Sequence, residues 1–168
     1  NGKILLENTN IVEKTEPEMC KIRGAKIAMI FQEPMTALNP LQTIGNQIAE
    51  ALLIHSTMTR NEANKKTKES LRSVGLNSNL ISPDRYPHQL SGGQRQRVMI
   101  AMAIVLKPQL IIADEPTTAL DVKSQAEILN LLRDLVVREN IALLLITHDL
   151  AIIANLTTKV AIMRNGKI

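Results

Sequence analysis

Leu90-Ser91-Gly92-Gly93-Gln94-Arg95-Gln96-Arg97 and, twenty positions on, Leu110-Ile111-Ile112-Ala113-Asp114-Glu115-Pro116 are the two stretches that decide the reading of this 168-residue chain. Four apolar residues running into two adjacent carboxylates predict a buried parallel strand. Its carboxyl end delivers Asp114 and Glu115 to the crevice where α/β sheets bind ligands. In nucleotide hydrolases that crevice holds magnesium and water. Two neighbouring carboxylates at a buried strand end are costly without a cation.

The first stretch has a plainer reading. Ser91 and Gln94 stand at the spacing of a capping box and so predict a helix start. A cap alone has no use for Gly92 and Gly93, each of which weakens a helix by roughly 1 kcal/mol relative to alanine. The glycines make sense where a ligand touches the backbone. A helix N-terminus with free N–H groups, a serine hydroxyl and no β-carbon in the way is a phosphate site. Both readings of Ser91, Gly92, Gly93 and Gln94 can hold together.

At these residues the chain resembles the ATP-binding cassette (ABC) ATPases, whose signature is LSGGQ and whose Walker B strand ends in Asp-Glu. The resemblance implies an α/β, P-loop NTPase-like core with a mainly parallel sheet and a helical subdomain insertion. It divides the chain into core strands and a Q-loop over 1–33, a helical subdomain with the signature over 34–107, and the Walker B to H-loop core over 108–168. Gln32, after the apolar run Lys26–Phe31, falls where the family has its Q-loop glutamine, which touches metal and attacking water. Asp121 in Pro116-Thr117-Thr118-Ala119-Leu120-Asp121 matches the D-loop and reaches across a dimer interface, and it is equally placed to cap the next helix. His148, 33 positions after Glu115 in Ile146-Thr147-His148-Asp149, fits the H-loop histidine that contacts the γ-phosphate.

The implied catalytic set is therefore Glu115, His148 and Gln32. Asp114 and Gln32 hold Mg2+, and Ser91, Gly92, Gly93, Gln94 and Asp121 contact ATP held by a second subunit. Met35-Thr36-Ala37-Leu38-Asn39-Pro40 is similar to the oligopeptide, dipeptide, nickel and microcin-type importer branch. That branch implies a second ATPase subunit, transmembrane permease subunits, a solute-binding protein, and a peripheral position on the cytoplasmic face of a bacterial inner membrane. No G-x-x-x-x-G-K-[ST] occurs in the sequence, and both ends are expected to be truncated. Two alternatives follow. One is a non-enzymatic or regulatory cassette. The other is a soluble ABC ATPase acting on ribosomes or DNA, which would carry Asn-His in place of Thr118-Ala119 or a long coiled coil, and neither is present.

Composition narrows the classes further. One cysteine, Cys20, excludes an internal disulfide. A net charge of +4 suggests nucleic acid, but only Phe31 and Tyr86 are aromatic, so stacking platforms are nearly absent. Lys65, Lys66 and Lys68 alternate with Glu62 and Glu69 as a solvated helix face does. No apolar run reaches the roughly 18 to 20 residues of a membrane span.

Helical spacing predicts an amphipathic helix through Ile48, Ala49, Leu52 and Leu53, then one opened by Thr59 and Glu62 and closed near Gly75. A buried helix is predicted over Gln94–Leu106, with the Arg95 and Arg97 charges helping its phosphate side, and another helix over Ser124–Arg138. Strands are expected at Lys3–Glu7, Lys26–Phe31, Ile141–Thr147 and Val160–Met163. Asn10–Arg23 reads as charged loop or helix, Leu150–Leu156 as a short helix, and Asn165-Gly166 as a hairpin turn.

Overall fold

A computed structural model describes residues 2–168 except Ser78, Leu80 and Ala119, and omits the side chains of Ala151, Ala154 and Asn155. Glu7 and Asn8 both take left-handed backbone angles, φ 49° and 63°. They turn β1 (Leu5–Leu6) back onto β2 (Thr9–Asn10) as a two-residue antiparallel hairpin. The strand expected at Lys3–Glu7 is thus shorter and pairs locally. Asn10–Arg23 resolves into a 3-10 turn and α1 (Glu16–Ile22), whose start is fixed by the Thr15 N–H donating to the Glu18 carboxylate at 2.9 Å.

The sheet that carries the site is β3 (Ile27–Ile30), β4 (Leu110–Asp114) and β5 (Ala142–Ile146), all parallel, in that order. The long connection from β3 to β4 holds α2 (Pro34–Ala37), α3 (Ile44–His55), α4 (Arg60–Ser73) and α5 (Gly92–Ile104). From β4 to β5 the chain passes through α6 (Val122–Arg138), and α7 (Leu150–Leu156) follows β5. Parallel strands require such crossovers, and here each one is helical.

One core runs through both the helical segment and the sheet. Ile44 and Ile48 of α3, Val98 and Ile100 of α5, Ile111 of β4, and Leu132 of α6 belong to the same buried cluster. The nearly all-round apolar sequence of α5 is explained by its position, since it touches β3, α2, α3, α4 and α6. The sheet departs from the expected two-sided burial. Met29 is 39%, Leu144 51% and Ile146 46% exposed, alternating with buried or half-buried neighbours. Helix α5 packs against β3, and these three side chains are left partly open to solvent.

Local stops behave as their chemistry demands. Thr59 and Glu62 form their capping box, and Gly75 takes φ +82° just after α4. A left-handed residue there lets the Leu76 N–H reach the Leu71 carbonyl at 2.9 Å and closes the helix end. Gly45 has another role. A β-carbon there would lie 2.7 Å from Pro83 Cβ, and the Gly45 N–H donates to the Pro83 carbonyl at 2.8 Å. The start of α3 is thereby locked against the loop that leads to Ser91. Val160–Met163 pairs with no strand among the described residues, and its side chains are exposed, so the expected strand is not formed. The Asn165-Gly166 turn is present, with φ 50° and 75° and a bridge between Arg164 and Lys167.

Candidate active site

The register of the parallel strands assembles the site. Ile30 pairs with Ala113, and Asp114 pairs with Ile146. Two residues beyond Ile30 stands Gln32, two beyond Ala113 stands Glu115, and two beyond Ile146 stands His148. All three leave the same carboxyl edge of the sheet. The Gln32 amide Nε2 donates to Glu115 Oε2 at 2.9 Å, across 83 positions of sequence. His148 Nδ1 lies 2.7 Å from Glu115 Oε1.

Glu115 itself is held in an unusual conformation. Its φ is +43°, a left-handed angle that costs a non-glycine residue of order 1 kcal/mol. Its N–H donates to the Ile146 carbonyl at 2.9 Å, extending the β4–β5 ladder by one bond before the chain turns. A fourth residue, Thr118, completes the cluster, its Oγ1 donating to Glu115 Oε2 at 2.8 Å. Sequence reasoning passed over Thr118 as part of the D-loop string. The signal available was the Glu-x-x-Thr spacing, which after a strand end bends the threonine back onto the carboxylate.

These contacts set the charges. Hydrogen bonds from His148 and then Thr118 hold the Glu115 carboxyl below its ordinary range. The bond to Glu115, and then its charge, push the His148 imidazole above its usual value. Stabilisation by the pair therefore needs Glu115 ionised and His148 protonated. The histidine part is complete below the ordinary imidazole pKa and is lost as pH rises through the elevated value. The carboxylate part is complete above its ordinary value and is lost as pH falls through the depressed one. With His148 79% exposed and Glu115 22%, solvent screens the pair and it adds little to the stability of the fold. In a Glu115→Gln variant the His148 pKa is expected to fall back toward that of a free imidazole. A titration of its ring protons by NMR measures this, and an unmoved pKa would mean the contact does not form in solution.

Asp114, the last residue of β4, is half-buried, and its carboxylate has no hydrogen bond or ion pair with the described residues. No group of three or more His, Cys, Asp or Glu fit to cage a metal occurs among them. Mg2+ does not need one, since it is usually held by one or two carboxylates with water and phosphate oxygens. The Asp114 carboxylate, without a protein partner among the described residues, fits that mode.

The signature residues sit apart from this cluster. Ser91 caps α5 by accepting from the Gln94 N–H at 3.3 Å, and the Ser91 N–H donates to Gln94 Oε1 at 2.9 Å, so the capping box is made. A β-carbon at Gly93 would meet no atom within 4 Å, leaving the first turn of α5 open to a ligand. One expectation is corrected here for Arg97, whose guanidinium turns away to other helices, while that of Arg95 stays at the start of α5 on the residue before the cap. Arg95 Nη1 donates to the Leu90 carbonyl at 2.5 Å, while Arg97 reaches the Val74 carbonyl and Glu127. Backbone carbonyls near helix ends and a carboxylate offer these donors partners within the chain. Asp121 is the N-cap of α6, with Oδ1 accepting from the Ser124 N–H at 3.0 Å. Its neighbour Leu120 lies against the signature, Cδ2 being 3.5 Å from where a Gly92 β-carbon would stand.

The class that this fold and site define is matched by comparison. A family model described as "ABC transporter" matches residues 1–118. The chain belongs to the ABC transporter family. It is 49% identical over its whole length to the oligopeptide transport ATP-binding protein AppD of Bacillus subtilis, covering 51% of that protein. It is 47% identical over 99% of its length to the dipeptide transport ATP-binding protein DppD of the same organism, covering 50% of it. The chain thus spans about half the length of the curated relatives it matches. Among solved structures, the dimeric ATP-binding cassette MJ0796 bound to ADP and Pi superposes with a TM-score of 0.78 at 33% identity, over 90% of this chain and 65% of that one. CbiO1 from Clostridium perfringens, part of the CbiONQ transporter complex, gives 0.75 at 29% identity, over 91% and 58%. No described helix is long and apolar enough to cross a membrane.

Proposed function

We propose that this chain is the Q-loop-to-H-loop part of an ATP-hydrolysing subunit that couples ATP hydrolysis to import of peptides or similar solutes. The observation that carries the reading is the convergence of Gln32, Thr118 and His148 on the Glu115 carboxylate, beside the unpaired Asp114. Relatives named for oligopeptide and dipeptide transport support the solute class. The partners that follow are a second ATPase subunit, permease subunits and a solute-binding protein, with the chain on the cytoplasmic face of the membrane.

In this reading Glu115 accepts a proton from the attacking water, and the Gln32 amide orients that water. His148 exchanges its bond to Glu115 for one to the γ-phosphate, where its proton offsets developing negative charge. Thr118 keeps one Glu115 oxygen fixed and leaves the other free once His148 departs. Mg2+, held by Asp114 and Gln32, would supply charge neutralisation of the phosphate oxygens. Ser91, Gly92, Gly93 and Gln94 present the positive end of α5 to nucleotide held on a second subunit, and Asp121 meets the same partner.

The test uses the longer protein that contains this chain together with its phosphate-binding loop. Ser91→Arg fills the open first turn of α5 with a long cation. Nucleotide binding to isolated subunits is expected to be unchanged while ATP-dependent pairing is lost, read by light scattering with and without ATP. Pairing that survives this substitution would remove the phosphate role of the signature.

A further inference from the structure

Arg97 lies in the second turn of the signature helix, and its planar fork makes two contacts of different origin. Nη1 donates to the Val74 carbonyl at 2.8 Å, and Nη2 donates to Glu127 Oε2 at 3.2 Å. Val74 is the C-terminal cap of α4, so the first contact places a cation at the negative end of that helix. Glu127 is on α6, the helix that Asp121 opens. The side chain of Arg97 is 22% exposed and that of Glu127 53%. Gly75 accommodates the fork, since a β-carbon there would stand 3.1 Å from Nη1. One guanidinium therefore ties together α4, the signature helix and the helix behind the D-loop.

Leu120 joins the same two pieces of chain nearer the surface, against Gly92. Its apolar contact has no directional preference, and α5 could roll against α6 while keeping it. A guanidinium that donates from one nitrogen to the Val74 carbonyl and from the other to the Glu127 carboxylate fixes orientation as well as separation, because its planar fork is rigid. We infer that Arg97 is a positioning residue that holds the Ser91–Gln94 turn and Asp121 as one rigid face toward the second subunit. The inference rests on the proposed reading of that face as the pairing surface. The clamp acts on pairing and leaves nucleotide binding by each subunit alone.

The experiment measures ATP-dependent pairing of the longer protein in a Glu115→Gln background, alongside ATP affinity of the isolated subunits and thermal stability. Arg97→Gln is expected to raise the ATP concentration for half-maximal pairing by about tenfold with subunit affinity unchanged. Glu127→Gln, at an exposed position, is expected to act in the same direction and more weakly. The double variant should be no worse than Arg97→Gln alone, because both remove one interaction. Arg97→Lys, which keeps the charge and loses the fork, should recover only part of the loss. Pairing unchanged in both single variants, or strictly additive losses, would overturn the clamp. Should Arg97→Gln fail to fold, Glu127→Gln decides, and wild-type pairing there overturns it. If the Glu115→Gln parent itself shows no ATP-dependent pairing, the reading beneath fails and takes the inference with it.

Discussion

Glu115→Gln in the longer protein is expected to leave ATP binding intact and to reduce steady-state turnover by about 10²- to 10⁴-fold, the range for removing a positioned general base. The substitution keeps the size of the side chain and can keep its acceptor oxygen toward Thr118 or Gln32. It removes the basicity that takes a proton from water. Because Glu115 sits at φ +43° and its N–H closes the ladder to Ile146, the backbone that aims it is independent of the carboxylate. A folding defect is therefore not expected to mimic the kinetic one. The effect should fall on kcat, with KM for ATP little changed. Turnover within a few-fold of the parent would remove Glu115 from the role of base.

The second large effect concerns stability. Ile100 is fully buried at the middle of α5, in the cluster shared by α3, β3, β4 and α6. Ile100→Ala deletes three carbons where the surrounding elements are tied to one another and collapse poorly onto a cavity. The expected cost is about 3 kcal/mol, within the 2–5 kcal/mol range for such truncations, and the expected fall in Tm is about 10 °C. The same truncation at Ile54, which is 69% exposed on α3, should change stability by no more than about 0.5 kcal/mol. Calorimetry on the two variants compares them directly, and equal losses would mean that α5 is not the centre of the core.

The pieces legible in the sequence were those fixed within one turn of chain. Ser91 with Gln94, Thr59 with Glu62, and Asp121 with Ser124 are hydrogen bonds between residues three apart. Their donors and acceptors meet whenever the backbone enters a helix, so residue type and spacing suffice. Gly75 as the stop of α4 is of the same kind, a left-handed angle that glycine takes without penalty. The apolar runs at Lys26–Phe31 and Leu110–Ala113 announced their strands because length and β-branched content leave few alternatives.

Elsewhere local pattern misled for reasons that lie outside the segment. Val160–Met163 has the residues of a strand, but a strand needs a ladder partner, and none of the described strands pairs with it. Ile141–Thr147 reads as a continuous apolar strand, and in the strand that forms, Ala142–Ile146, one row of side chains is exposed, since burial depends on what packs above a strand. Arg95 and Arg97 illustrate the reach of long side chains. Their positions in α5 were plain, and the Arg95 partner Leu90 is local, but the Arg97 partners Val74 and Glu127 are set by how α4 and α6 lie against that helix.

The sequence by itself determined which groups are proposed to carry the chemistry, because carboxylate, imidazole, amide and hydroxyl are fixed by residue type, and the motifs carrying them are local. Only the tertiary structure decided that they meet. The in-register pairing of Ile30 with Ala113 and of Asp114 with Ile146 brings Gln32 and His148 to Glu115 across 83 and 33 positions of chain. The turn after β4 adds Thr118 to the same carboxylate. That register is a property of three strands packed on one core, and no single segment contains it.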